Sequence, residues 1–195
     1  MTQGFAVGGI IEGFYGSPWT HDQRLDIIEF IGDLGLNTFV YAPKDDAKLR
    51  RDWRIPFDED DLGRLRELVQ ACQSHGVTFV FALSPGLSMR YSSADDLDLL
   101  VTKFRQVAAL DVSSFALLLD DIPTDLQHPE DRATFEDLVD AQVDLIGRLY
   151  SMLGGALMVA PTTYWGRGDE PYLARLGHGI DPDIDIFFTG RAICS

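Results

Sequence analysis

The sequence predicts an α/β protein of the (β/α)₈ TIM-barrel type, with about six βα units present in the chain. Three observations lead to it. Apolar, β-prone segments alternate with segments whose apolar residues recur at helical spacing, the pattern of a parallel sheet with right-handed crossovers. Polar or glycine-rich residues follow each strand-like segment, and a barrel gathers such strand ends around one pocket. The first of these turns, Gly8-Gly9-Ile10-Ile11-Glu12-Gly13-Phe14-Tyr15-Gly16, carries aromatic residues where a dinucleotide fold needs bare backbone against pyrophosphate. That argues against a nucleotide site on an open, doubly wound sheet.

In chain order, Ala6–Glu12 reads as the first strand and ends in Glu12-Gly13. Thr20 is an N-cap candidate for a helix over Asp22–Leu34, which Gly35 stops in the left-handed conformation. The strand Thr38–Ala42 runs into Pro43-Lys44-Asp45-Asp46, and the helix Asp60–His75 stops at Gly76. The strand Thr78–Leu83 ends in Ser84-Pro85-Gly86, after which Ser93 caps a helix over Ala94–Leu110. Ser114–Leu119 is a continuous apolar run that breaks at Ile122-Pro123, the signature of a strand covered on both faces, and it closes in Asp120-Asp121. One long helix is expected over Asp131–Leu153, stopped by Gly154. Then come the strand Ala156–Ala160 with Pro161-Thr162-Thr163-Tyr164, a short helix near Tyr172–Leu176, and the strand Ile184–Phe188 followed by Thr189-Gly190.

A closed barrel takes eight strands and about 250 residues. The segment Arg191–Ser195 is too short for two more units, so residues 1–195 are expected to form a partial barrel, a fragment or truncated product. Its open edges would expose unpaired backbone and apolar surface, which predicts self-association or cover by another chain.

At 195 residues and 46% hydrophobic content the chain can bury a substantial core. A net charge of −15 opposes phosphate backbones and anionic lipid, and no basic patch offsets it, so neither nucleic acid nor membrane is expected as a partner. Cys72 and Cys194 lie far apart without a C-x-x-C spacing, which suggests neither a disulfide framework nor a zinc site and fits a reducing cytoplasm. The N-terminus lacks a basic segment leading into a long apolar one, and no apolar run reaches bilayer length, so the protein is expected to be soluble and not exported. Asp181, Asp183 and Asp185 lack the glycine and terminal glutamate of a calcium loop, and His21, His75, His128 and His178 are scattered without H-E-x-x-H. No metal and no cofactor are expected. The acids Asp58–Asp61 and Asp95-Asp96 read as solvated first turns favoured by the helix dipole.

Chemistry is expected to start at Asp120 and Asp121, because two carboxylates at the end of a buried strand are costly unless they are used. Adjacent carboxylates in an apolar surround disfavour double ionisation, which lets one stay protonated as an acid must. The bland alternative is a strand-end pair that caps the next helix or meets a cation.

Five strand-end motifs, Glu12-Gly13-Phe14-Tyr15-Gly16-Ser17-Pro18-Trp19, Tyr41-Ala42-Pro43-Lys44-Asp45-Asp46, Ser84-Pro85-Gly86, Phe115–Asp121 and Pro161-Thr162-Thr163-Tyr164, occur in this order along the chain. Together they resemble the catalytic domain of glycoside hydrolase family 84, the O-GlcNAcase and hyaluronidase-like β-N-acetylglucosaminidases. The resemblance implies a (β/α)₈ barrel that hydrolyses terminal β-linked N-acetylglucosamine (GlcNAc) from a glycan, glycoprotein or glycoside with retention. The nucleophile would be the substrate's own 2-acetamido oxygen, with an oxazoline intermediate, and no metal or enzyme nucleophile would be required. It assigns Asp120 to the acetamide N–H, Asp121 to general acid/base catalysis, Lys44 to sugar hydroxyls, Gly13 to backbone contact with the sugar and Tyr164 to the acetamide pocket.

Each assignment has a plainer alternative. Lys44 could pair with Asp45 or Asp46 in solvent, Gly13 could be a turn glycine with positive φ, and Tyr164 could be a buried tyrosine with a satisfied hydroxyl. Tyr15, Trp19 and Trp165 are candidate aromatic walls or ordinary packing. The last two barrel strands of the family supply further sugar-binding side chains that have no counterpart in this sequence. A truncated, inactive GlcNAc-binding remnant is therefore the alternative reading.

Overall fold

In the computed structural model, which describes residues 5–189, the strands β1 (Gly9–Glu12), β2 (Thr38–Tyr41), β3 (Thr78–Leu83), β4 (Ser114–Leu118), β5 (Ala156–Ala160) and β6 (Asp185–Ile186) pair in sequential order, all parallel. The helices are α1 (His21–Asp33), α2 (Glu59–Ser74), α3 (Ala94–Ala108), α4 (Pro129–Thr134), α5 (Leu138–Leu153) and α6 (Pro171–Gly179), with a single 3₁₀ turn at Pro85–Leu87.

The period-2 alternation of the strands sorts the core into two clusters. Phe39, Phe79, Phe81, Phe115, Leu117, Leu157 and Val159 point to one face, where Ile28, Ile31, Leu65, Leu68, Leu100, Phe104, Leu145 and Ile146 of the helices meet them. Edge-to-face pairs of Phe104 with Phe81 (5.9 Å) and Phe115 (5.4 Å) join sheet to helix there. Val40, Ala42, Val80, Ala82, Ala116, Leu118, Met158 and Ala160 point to the other face, where among the described residues Phe187 joins them and no helix residue does. A parallel sheet with all its helices on one side is the wall of a barrel rather than a doubly wound sheet, and the six strands form a curled half-barrel.

Most helix ends follow the sequence. Thr20 and Gln23 form a capping box (Gln23 N–H to Thr20 Oγ1, 3.2 Å; Thr20 N–H to Gln23 Oε1, 2.9 Å), and Asp58 and Asp61 form a second. Ser93 caps α3, and Gly35, Gly76 and Gly154 all take positive φ at the expected stops.

The single helix expected over Asp131–Leu153 is two helices. Phe135 leaves helical geometry at φ −117°, ψ 147°, and the Asp137 carboxylate restarts the chain by accepting Asp140 N–H at 3.1 Å. The break lets fully buried Asp131 accept bonds from Tyr91 N–H, Ser92 N–H and the Ser92 hydroxyl. The solvated reading of Asp96 is also corrected. Asp96 is fully buried, and it takes a two-pronged bond from Arg54 (2.8 and 2.6 Å) and a further one from Arg90 (3.1 Å). Burial pushes its carboxyl pKa up, but the two guanidinium groups outweigh this and hold it well below the usual carboxylate range.

The first and last strands are shorter than expected, because Gly8 N–H is taken by the Asn37 side chain (2.9 Å) and only Asp185–Ile186 pairs with β5. Gly190 and Cys194 lie outside the described residues. Cys72 is buried, and burial pushes its thiol up to about 12. Among the described residues no helix is long and apolar enough to cross a membrane.

Residues 43–58, between β2 and α2, are tied to α3 by Lys103. Its buried ammonium donates to the carbonyls of Lys48 (2.5 Å) and Ile55 (2.7 Å) and lies 4.4 Å from the centre of the Phe57 ring. Burial pushes this amine down to about 8, with Asp46 and Asp61 opposing. The segment so anchored carries Lys44 and Arg50.

Candidate active site

The ladder of β4 ends one residue past the strand, where Leu119 N–H bonds to the Ala160 carbonyl at 2.8 Å. Two-residue alternation then turns Asp120 to the concave face above Leu118, as it turns Lys44 inward above Val40 and Ala42. Between them the end of β3 offers only Ala82 and Ser84, and the Lys44 ammonium crosses that gap to Asp120 Oδ2 at 2.5 Å. The side chains are 4% and 14% exposed, so this is a largely buried ion pair and not the solvated pair with Asp45 or Asp46. The other oxygen, Asp120 Oδ1, is buried and has no hydrogen-bond partner among the described residues.

Asp121 has φ of +55°, a left-handed conformation that costs a non-glycine residue roughly 1–2 kcal/mol and that aspartate tolerates better than most. The turn swings its carboxylate out of the sheet, where it meets two phenols. Tyr15 donates to Oδ2 at 2.8 Å, and Tyr164 makes a long contact with Oδ1 at 3.4 Å. Burial raises the pKa of Tyr15, with Asp121 adding to the rise and Arg50 opposing it. Burial raises that of Tyr164, and the charges of Asp121 and Asp120 add to it. Both phenols therefore stay protonated and act as donors at neutral pH. Arg50 completes the group by donating to the Tyr15 hydroxyl (2.7 Å) and to the Asp121 carbonyl (3.2 Å).

Gly13 does not have positive φ, and what a side chain there would meet is the side chain of Ile11. A Cβ there would lie 2.9 Å from Ile11 Cγ2. Its neighbour Glu12 points the other way, fully buried, and binds Arg24 through both oxygens (2.7 and 2.8 Å) and Trp19 N–H (2.9 Å). This anchors both ends of the turn that carries Tyr15. Trp19 is half-buried and packs edgewise on Phe14 at 5.4 Å, whereas Trp165 is exposed.

Gly13, Lys44, Asp120 and Tyr164 line one pocket of about 410 Å³ on the concave face, with Val40, Leu118 and Ala160 as floor and Phe187 as a side wall. The volume suits one pyranose ring with a small substituent. Asp121 stands at the rim, exposed, with its carboxylate against the Tyr164 hydroxyl. Four of the five expected site residues thus share the pocket and the fifth borders it. Sequence reasoning did not name Arg50, and it left Tyr15 undecided. The available signals were a tyrosine inside a strand-end motif and an arginine in the segment that carries Lys44.

A family model described as beta-N-acetylglucosaminidase matches residues 8–195. The proteins named Protein O-GlcNAcase of Rattus norvegicus and Mus musculus are each 34% identical over 96% of this chain and 21% of their own. The chain spans about a fifth of the length of the curated relatives it matches. Among solved structures, an O-GlcNAc hydrolase from Thermobaculum terrenum, studied as an aspartate-to-asparagine mutant, superposes with a TM-score of 0.95 at 40% identity, over 98% of this chain and 42% of that one. A protein titled CpGH84B gives a TM-score of 0.83 at 30% identity, over 96% of this chain and 34% of its own.

Proposed function

Because the chain belongs to the β-N-acetylglucosaminidase family, glycoside hydrolase family 84, we propose that it removes terminal β-linked GlcNAc from a glycoprotein, glycan or glycoside by substrate-assisted catalysis. The observation that carries this reading is Asp120. One oxygen is neutralised by Lys44, and the other is buried beside the pocket with no partner among the described residues, which suits it to accept a hydrogen bond from an amide N–H of the substrate.

In the first step the acetamido oxygen attacks C1 from the opposite face, and the C1–oxygen bond to the leaving group breaks. The departing oxygen takes the proton of Asp121, while Asp120 accepts the hydrogen bond of the acetamide N–H as that nitrogen gains positive charge. In the second step water attacks C1 of the oxazoline, gives a proton back to Asp121, and restores the acetamide with net retention. Asp121 stands where it can alternate between acid and base because it faces solvent on one side and the pocket rim on the other. Tyr164 is suited to donate to the acetamide oxygen. Only one of the three Lys44 protons is used by Asp120, which leaves donors for ring hydroxyls, and Gly13 allows the sugar to lie close to backbone.

Binding without turnover is the second reading, favoured by the exposure of Asp121, since an acid open to solvent is poorly pre-organised. Hydrolysis of a chromogenic β-N-acetylglucosaminide by the wild-type chain and by Asp121→Asn separates the two. Turnover that falls about 10²–10⁴-fold in the variant supports the enzyme. Saturable GlcNAc binding with no turnover in either protein supports the binding module, and neither binding nor turnover refutes both.

A further inference from the structure

Gln142 is a fully buried polar residue on α5 that the proposed reaction does not use. Its amide Nε2 donates to Thr162 Oγ1 at 2.9 Å, and its Oε1 accepts the Tyr172 hydroxyl of α6. Thr162 closes the circuit, because its backbone N–H donates to the Tyr172 oxygen at 3.1 Å and its hydroxyl donates to the Leu119 carbonyl at 2.8 Å. That carbonyl belongs to the peptide bond leading into Asp120.

The arrangement substitutes for a missing ladder bond. Leu119 N–H is bonded to the Ala160 carbonyl, and in a continuing parallel ladder the Leu119 carbonyl would accept from the backbone N–H of Thr162. That N–H has been drawn to Tyr172, and the Thr162 side chain supplies the donor in its place. The orientation of the peptide before Asp120 is therefore set by a side chain whose own hydroxyl direction is fixed by a buried amide. Immediately beyond it the chain must hold Asp121 in the left-handed conformation that turns its carboxylate to Tyr15 and Tyr164.

We propose that Thr162 and Gln142 are positioning residues for the Asp120–Asp121 pair, acting through the Leu119 carbonyl. The inference rests on the reaction proposed above for those carboxylates. It gives α5 and α6, on the helical side of the sheet, a part in holding catalytic groups on the concave side.

The test compares Thr162→Val, Thr162→Ser and Gln142→Met with the wild-type chain, using 4-nitrophenyl N-acetyl-β-glucosaminide and the backbone resonances of Asp120 and Asp121. Small displacements of reacting groups cost rate more than binding, so Thr162→Val is expected to lower kcat about ten- to a hundredfold with KM changed less than about threefold. Asp121 resonances should move with it, while Thr162→Ser, which keeps the hydroxyl, recovers both. Gln142→Met, which leaves the hydroxyl in place but free to rotate, should fall between them, and it carries the test if Thr162→Val does not fold. A folded Thr162→Val protein with unchanged kcat and unchanged Asp121 resonances overturns the proposal, as does a Thr162→Ser protein impaired as much as Thr162→Val. Absence of turnover in the wild type counts against the proposed function alone, and the resonances then decide the positioning role.

Discussion

Replacing Lys44 by methionine strips Asp120 of its only partner among the described residues and leaves both oxygens of a mostly buried carboxylate unsatisfied. Removing one member of a buried ion pair costs about 3–5 kcal/mol. The residual 14% exposure of Asp120 places this pair at the lower end, about 3 kcal/mol. For a domain of this size that is a fall in Tm of about 6–12 °C. Asp120→Leu alone should cost a comparable amount, because it strands the Lys44 ammonium at 4% exposure. The double variant Lys44→Met/Asp120→Leu removes both charges and fills the space with apolar groups over a floor of Val40, Leu118 and Ala160. It should return to within about 1 kcal/mol of the wild type or exceed it, since apolar replacement of buried pairs is often neutral or stabilising. Urea unfolding of the four proteins reads these differences, and hydrolysis assays should find all three variants inactive. A double variant destabilised by the full sum of the singles, about 6 kcal/mol, would mean that the two charges act independently and would refute the reasoning.

Asp96→Ala takes the carboxylate from Arg54, which keeps its bonds to Ser88, and from Arg90, and it opens a gap under the loop before α3; it should cost about 3 kcal/mol in urea unfolding, whereas Asp95→Ala on the exposed side should cost less than about 0.5. Lys103 is held at about 8 against 10.5 in the unfolded chain, so between these values the unfolded state holds a proton that the native state lacks, and stability rises with pH through that window by up to about 3 kcal/mol. Above pH 10 the sign reverses, because buried Tyr41 and Tyr91 keep their protons in the native state while the unfolded phenols lose them; an unfolding midpoint that falls from pH 8 to 10, or one that rises equally in Lys103→Met, contradicts the assignment. Tyr15→Phe removes the 2.8 Å bond to Asp121 and the link to Arg50, and it should lower kcat about tenfold while leaving unfolding within about 1 kcal/mol. Among the described residues β1 and β6 each pair on one side only, with Ile11, Ile186 and Phe188 exposed near them, so sedimentation should find species larger than the monomer; a monodisperse monomer at micromolar concentration contradicts this.

The fold was legible in the sequence because both of its periodicities are local. Inward Val40, Ala42 and Lys44 and outward Phe39 and Tyr41 follow from a spacing of two, and the stops at Gly35, Gly76 and Gly154 follow from a need for positive φ. The break at Phe135–Asp137 was hidden because no proline or glycine marks it; the first helix ends at extended Phe135, and the Asp137 carboxylate starts the next by accepting Asp140 N–H. Asp96 was misread beside Asp95, although it lies on the buried stripe shared with Leu100, Lys103 and Val107 and so announces a partnered acid. At the candidate site, the strand-end motifs named residues that the structure brings to one pocket, whereas Arg50, which reaches in from a loop, was not named. Arg50 reaches the Asp121 carbonyl over 71 positions of chain, a contact that no local pattern encodes.

The floor of the pocket and the groups proposed to act above it are held by different means. Val40, Leu118 and Ala160 sit on or at the end of regularly paired strands, whereas Asp120, Asp121 and Lys44 ride on the first residues beyond the ladder, fixed by side-chain bonds. Under the proposed reaction, fit and reactivity would consequently be separable traits. Exchange of Ala160 or Val40 would reshape the pocket floor without touching Asp120, Asp121 or Lys44, and loss of the Asp121 carboxylate would leave that floor as it is.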